Sequence, residues 1–286
     1  MKASVIILNY NGKDKIMDCI ESVMNQNFPK DQFEIIVVDN NSTDGSEKLV
    51  EKYKEVKLIK RNVNDGFAKG NNVGIKASSG EYIALLNNDI TLERDWLKKM
   101  VDKIESDKNI GILGCTIYYS YSGEIWNAGG NIFFPGFAKN LKLESEQECN
   151  WVAFAAMMMR RSVNELLDEN LFMYYEDNEL CKRVRKKGYK VWIYDNAFAF
   201  HHVEKGKVSA HEEYNMHKNR PYYYTKFYSL PGKILYLLGD LVLFFPMFAL
   251  YRIIKNPKRI KFWKEILLAR VTSIPLMFKE LKGGKK

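Results

Sequence analysis

The sequence has few cysteines and no spacing that would put them to use. Cys19, Cys115, Cys149 and Cys181 are scattered through 286 residues, with neither a C-x-x-C pair nor metal-ligand spacing. Four reduced, structural thiols in a cytosolic compartment are the expectation. The N-terminus lacks a basic segment followed by a signal-length apolar core, so no leader is expected. Internal repeats, low-complexity tracts, a P-loop and a G-x-G-x-x-G run are all missing. Excess charge is absent from most of the chain too. The formal charge is +9, yet residues 255–286 hold ten Lys/Arg and two Glu, net +8, which leaves +1 for residues 1–254. An acidic partner is therefore to be sought at the tail.

What is present is core material. Hydrophobic residues make up 46% and aromatics 13%, enough for one large domain with an appendage, and this excludes a disordered chain. Short β-branched runs alternate with amphipathic stretches: strand residues 4–8, helix 13–27, strand 33–38, helix 46–54, strand 56–60, helix 67–77 and strand 82–86. Continuous apolar strands separated by helices predict a parallel sheet covered on both faces, an α/β fold. From about 110 to 202 the pattern is mixed, with strands predicted at 111–118, 151–159 and 190–200 and a helix at 176–187. The expected division is one catalytic domain over 1–230, with halves 1–106 and 107–230, and a helical tail over 231–286.

In such sheets ligands sit beyond the carboxyl ends of the strands. Here those ends are polar: Asn9-Tyr10-Asn11-Gly12 after the first strand, Asp39 to Gly45 after the second, Asn87-Asn88-Asp89 after the fourth. Asp39 can accept the imide N–H of a uracil or thymine ring, or open an Asx-turn while Asp44 caps the next helix. The run Asn64 to Gly74 places glycines at the opening of a helix, where backbone N–H groups suit a phosphate or ribose. Close packing through Gly70 and Gly74 explains those glycines equally well. Asp89 fits a one-carboxylate shell for Mg²⁺ or Mn²⁺ completed by diphosphate oxygens, or a cap on a helix starting near Thr91. Asp177, in the first turn of its helix, is either a base for an incoming hydroxyl or a helix-start carboxylate. His201, ending a strand-like run, is a metal ligand or a polar strand end.

In this order the segments resemble the inverting family-two glycosyltransferases, and within them the rhamnosyltransferase-like branch. The match rests on Val5 to Asn11, Val37 to Ser46, Asn64 to Gly74, Leu85 to Asp89 and Phe172 to Arg183. The resemblance implies a GT-A, Rossmann-like mixed sheet binding a nucleotide-diphosphate sugar. Asp39 would meet the base, Asn64 and Asn71 the ribose and diphosphate, and Tyr10 and Asn88 would complete the nucleotide site. Asp89 and His201 would hold Mg²⁺ or Mn²⁺, and Asp177 would take the acceptor's proton. The chain departs from the family at Asn87, where a carboxylate is usual, and at Phe154, where glycine is usual. The alternatives are a sugar nucleotidyltransferase, which lacks its Gly-rich basic first loop here, and a non-catalytic scaffold of glycan assembly.

Residues 234–254 are apolar apart from Gly239, Asp240, Pro246 and Arg252, and the cleanest run, 241–251, has eleven residues against about 20 for a span. The expectation is an interface-lying or re-entrant helix kinked at Pro246, then a basic amphipathic helix turning Ile260, Phe262, Trp263, Ile266, Leu267 and Leu268 to lipid. Lys255, Lys258, Arg259, Lys261 and Lys264 would meet anionic head groups, so that residues 234–286 bind the inner face of a plasma membrane next to a lipid-linked or polysaccharide acceptor. A helical pair packed on the catalytic domain, or a homodimer interface, is the alternative use of these helices. No nucleic-acid module is visible.

Overall fold

The first seven predicted elements form where hydrophobic periodicity places them, in a computed structural model that describes residues 1–133, 137–141 and 145–279. They are β1 (Ala3–Asn9), α1 (Ile16–Met24), β2 (Phe33–Asp39), α2 (Ser46–Val50), β3 (Val56–Lys60), α3 (Phe67–Ala77) and β4 (Tyr82–Asn87). β1 pairs in parallel with both β2 and β4, and β2 pairs with β3. Val5, Ile6, Ile7, Ile36, Val37 and Leu85 are fully buried, as strands covered on both faces require. α3 lies against this sheet because of its glycines. A Cβ at Gly70 would overlap Leu8, and one at Gly74 would overlap Ile6. Those two glycines serve helix-sheet packing.

The second half is less regular. β5 (Ile90–Leu92), α4 (Trp96–Ser106), β6 (Ile110–Tyr119), β7 (Ile125–Asn127), β8 (Gly130–Phe133), β9 (Phe137–Asn140), β10 (Gln147–Glu148), β11 (Ala156–Arg160), α5 (Glu176–Lys186) and β12 (Lys190–His201) follow in order. The main sheet runs β10-β12-β6-β11-β4-β1-β2-β3, with β5 on β12 and β7 on β6. β11 is antiparallel to β4 and β6, whereas β12 is parallel to β6, so the sheet is mixed. All four cysteines are buried free thiols, and burial pushes each above the ordinary thiol value.

The chain divides into two compact units, 1–172 with 176–207, and 173–175 with 208–286. The main division falls at 207/208, and helix α6 (Ala210–Lys226) packs with the C-terminal helices. Ser209 starts α6 with a capping box, its hydroxyl accepting the Glu212 N–H while the Glu212 carboxylate accepts the Ser209 N–H.

In the second unit, α7 (Leu230–Leu237), a π-helical stretch (Leu238–Phe244) and α8 (Phe245–Lys255) run on as one 26-residue helix, long and apolar enough to cross a membrane. The helix is thus longer than the eleven-residue cleanest apolar run of the sequence. The π turns immediately precede the turn that holds Pro246, and the helix continues past it. α9 (Ile260–Thr272) and α10 (Ile274–Lys279) complete the unit. Trp263 and Ile266 are buried with Phe245 and Ala249, which corrects their expected lipid-facing role. Exposed apolar side chains include Leu235, Leu238, Val242, Met247, Leu250 and Ile254 on the long helix and Ile260, Leu267 and Leu268 on α9. Residues 280–286 of the proposed membrane-binding tail lie outside the described residues.

Candidate active site

The polar strand ends gather at one edge of the sheet. Asn9, fully buried at the end of β1, donates through Nδ2 to Asp39 Oδ1 at 2.8 Å, to Ser46 Oγ at 2.8 Å and to Ser42 Oγ at 3.2 Å. Its Oδ1 accepts from Asn88 Nδ2 at 2.9 Å. One amide therefore joins the ends of β1, β2 and β4. The loops above are laced in the same way: Asp44 accepts the N–H groups of Lys13 and Ser46, and Asn11 Oδ1 accepts that of Thr43. Asn11 and Asn41 take left-handed backbone at φ 50° and 66°, which asparagine tolerates better than most residues.

Asp39 is 3% exposed, and its Oδ2 accepts the Ser42 N–H at 3.0 Å. It thus closes the turn after β2, and each oxygen keeps a second lone pair for another donor. Beside it, Asn40 donates to Asn64 Oδ1 and to the Gly66 carbonyl while accepting from Arg61, which is itself paired with Asp65. Asn64 is thereby held at the β2 and β3 ends, and Tyr10 stands half exposed beyond β1, its ring open to stacking. Asn71 is fully buried in α3, where Nδ2 donates back to the Phe67 carbonyl and Oδ1 has no partner. The orphaned oxygen is an acceptor for a ribose hydroxyl, and the second Nδ2 hydrogen is the donor left for a diphosphate oxygen.

Thr91 lies in β5, and the next helix starts at Trp96. Asp89 is therefore no helix cap. β5 pairs antiparallel with β12, Ile90 opposite His201, and the His202 N–H donates to the Asp89 carbonyl. This pairing sets His201 Nε2 3.1 Å from Asp89 Oδ1 across 112 positions of sequence. Burial raises the Asp89 carboxyl, but the His201 hydrogen bond, with the charges of His201 and Lys15, outweighs it and holds the group below the ordinary aspartate value. Trp126 stands edge-on to the His201 ring, centroids 4.4 Å apart.

A divalent cation fits what is present, one ionised carboxylate and one imidazole, and Asn87 at the end of β4 has a buried Oδ1 without a partner among the described residues. Among the described residues no third His, Cys, Asp or Glu joins the pair. The remaining ligands would come from a diphosphate and water.

Asp177 opens α5 after Tyr174 and Tyr175, two consecutive residues with left-handed backbone at φ 72° and 73°, a strained approach of the kind that marks functional sites. Oδ1 accepts both the N–H and the Nδ2 of Asn178, at 2.6 and 2.7 Å, and no described residue donates to Oδ2. Burial pushes Asp177 above its ordinary value against those two bonds, and pushes Glu176 well above, with the Asp177 charge adding to the second shift. The segment 151–155 touches both the end of β4 and helix α5. The Asn87 N–H donates to the Ala155 carbonyl, and the Cys181 thiol of α5 meets the Val152 main chain. Phe154 in this segment is buried core.

Sequence reasoning did not single out Asn9 or Lys15. Their signal is burial and proximity across strands, which spacing in the chain does not carry.

Comparison with known proteins gives the same fold. TarS 1–349 of S. aureus, in complex with UDP-GlcNAc, matches at TM-score 0.58 and 18% identity over 93% of this chain and 79% of that one. GalNAc-T7 with UDP, GalNAc and Mn²⁺ matches at 0.63 and 18%, over 81% and 52%. The "Glycosyltransferase AglE" of Haloferax volcanii is 31% identical over 122 residues, 41% of this chain and 40% of that protein. The "Poly(ribitol-phosphate) beta-glucosyltransferase" of Bacillus spizizenii is 42% identical over 94 residues, 31% of this chain and 15% of that one. The chain thus spans well under two thirds of these curated relatives. The model of "Glycosyl transferase family 2" matches residues 4–167, a stretch holding Asp39 and Asp89 and ending before Asp177 and His201. With more than half the chain inside that match and a GT-A-like mixed sheet around the Asp89 strand end, the chain belongs to glycosyl transferase family 2.

Proposed function

We propose that this chain is an inverting, metal-assisted glycosyltransferase that moves a sugar from a nucleoside-diphosphate donor to a lipid-linked or polysaccharide acceptor. The observation that carries the reading is the meeting of Asp89 and His201 at the carboxyl edge of the sheet, next to the buried Asn9–Asp39 network. Asp39 takes a base N–H on its remaining lone pair, with Tyr10, Asn64 and Asn88 around the nucleotide. Asp89 and His201 hold Mg²⁺ or Mn²⁺, which supplies charge neutralisation for the departing diphosphate. Asp177 Oδ2 accepts the proton of the acceptor hydroxyl as its oxygen attacks the anomeric carbon. A single displacement with one base inverts the centre, whereas a glycosidase would need two facing carboxyl groups. Uridine nucleotides, present in the TarS and GalNAc-T7 structures, are the first donors to test, and a rhamnosyl donor follows from the motif resemblance.

The test is a panel of sugar nucleotides with Mg²⁺ or Mn²⁺, scored by thermal shift and by transfer. A true donor raises the melting temperature by mass action. Asp177→Asn should abolish transfer while donor binding stays. Loss of binding in that variant, or no stabilisation by any donor, overturns the reading.

The same proposal places the enzyme on the cytoplasmic face of a membrane. The exposed apolar side of the 26-residue helix, followed by exposed Lys255, Lys258, Lys261 and Lys264, supports an interfacial position, with lipid under the apolar stripe and head groups at the cations. A transverse helix would carry the +8 segment across, against the positive-inside tendency. Sedimentation with anionic liposomes at low salt tests this, and protein left in the supernatant sinks it.

A further inference from the structure

Lys15 stands at the entrance of α1, and its ammonium reaches the other side of the site. Nζ donates to the His202 carbonyl at 2.6 Å and lies 3.9 Å from Asp89 Oδ2, too far for a hydrogen bond and near enough for charge attraction. An ammonium carries three donors. One is used and the side chain is 42% exposed, which leaves two donors for a ligand. The strand-end pair with His201 contains one formal negative charge, Asp89, because residue 87 is a neutral asparagine with an unpaired oxygen. With Lys15 counted, the cluster is neutral before any ligand arrives. A site of that charge attracts a divalent cation less than a lone carboxylate would, and it already holds a positive group where diphosphate charge is to be placed.

We propose that Lys15 is a further donor-binding residue, whose ammonium takes a diphosphate oxygen of the nucleotide sugar and stabilises the leaving group. The proposal rests on the donor site described above and deepens it. In the transfer, the bond between the anomeric carbon and the phosphate oxygen breaks with its electron pair going to that oxygen. The new bond forms to the acceptor oxygen, whose proton goes to Asp177. Lys15 stays protonated throughout, and its charge gains value as the oxygen becomes anionic. The His202 carbonyl, one residue beyond β12, holds the ammonium beside the Asp89–His201 pair.

The experiment compares wild type, Lys15→Met and Lys15→Arg by calorimetry with UDP, dTDP and GDP in the presence of a chelator, and by Mn²⁺ binding to the nucleotide-free protein. For the nucleotide that wild type binds tightest, Lys15→Met should weaken binding in chelator about tenfold, the scale of one charge-assisted hydrogen bond. Lys15→Arg should recover most of that loss. The same Lys15→Met protein should bind Mn²⁺ more tightly than wild type, since a repelling cation is gone. Opposite signs in the two titrations are the signature, because general damage to the fold weakens both. Nucleotide binding in chelator unchanged in Lys15→Met, or weakened together with Mn²⁺ binding, overturns the assignment of Lys15 and leaves the donor site standing. Wild type that binds none of the three nucleotides with Mn²⁺ overturns both.

Discussion

Asn88 Nδ2 donates to Asn9 Oδ1 across 2.9 Å, and that bond ties the end of β4, one residue before Asp89, to the amide that holds Asp39. The base-binding end and the metal-binding end of the site are thus joined through one buried side chain. Gly12 covers the bond. A Cβ there would overlap both Asn88 Nδ2 and Asn9 Oδ1.

Gly12→Ala should therefore part Asn9 from Asn88 without touching Asp39 or Asp89. The expected result is a rise of about tenfold in the donor KM, the scale of one lost buried hydrogen bond, with a smaller fall in kcat. Steady-state kinetics with varied donor reads it, and an unchanged KM would show that the link carries no positional information.

The pH profile follows from Asp177. Burial raises its pKa, and the base acts only when ionised, so the acidic limb of kcat should lie above the ordinary aspartate value of about 3.9. Activity falls as pH drops through the raised value. A limb at the ordinary value would place the carboxylate in open solvent during turnover.

Glu176 gives a stability test of opposite use. Its Oε2 is buried without a partner, and burial first, then the Asp177 charge, raise its pKa in the folded protein. A raised carboxyl contributes fully below its unfolded value of about 4.3 and loses that contribution as pH rises toward the folded value. Glu176→Gln carries no such charge. Its stability should match wild type near pH 4 and exceed it by a margin that grows as pH rises through the raised value. Urea unfolding across pH measures the gap, and a gap that closes with rising pH contradicts the assignment.

In the second unit, Arg270 donates to Asp240 Oδ2 at 2.6 Å, with both side chains buried and the guanidinium 4.0 Å from the Phe245 ring centre. Arg270→Leu leaves Asp240 as an unpaired buried charge and should cost about 3–5 kcal/mol. Arg270→Leu with Asp240→Leu should recover most of it. Hydrogen exchange of α8 and α9 reads the loss, and equal protection in the single variant would show the pair to be dispensable.

The parallel half of the fold was legible residue by residue. The runs 4–8, 33–38 and 82–86 are apolar throughout because both faces of those strands are covered, and helix Phe67–Ala77 was bounded by its own punctuation. β5 was not legible: three residues are too few to show a period, and the strand exists only because β12 pairs with it. Without β5 the sequence left Asp89 divided between cap and ligand. The same holds for Trp263 and Ile266, whose apolar character fits lipid and core alike until Phe245 and Ala249 are seen against them.

What the sequence determined by itself is the local chemistry: a parallel α/β half, polar strand ends, Asp39, Asp89, Asp177 and His201 as candidates, and a basic tail. What tertiary structure alone decided is which of these meet. His201 reaches Asp89 over 112 positions through a three-residue strand, Asn9 binds three strand ends with one amide, and Lys15 brings its cation to Asp89 from the far side of the sheet edge. The reason is physical. Periodicity and capping are short-range consequences of backbone geometry and are written in neighbouring residues, whereas electrostatic and hydrogen-bond partnership depends on distance in space, which is fixed only when the strands take their order in the sheet.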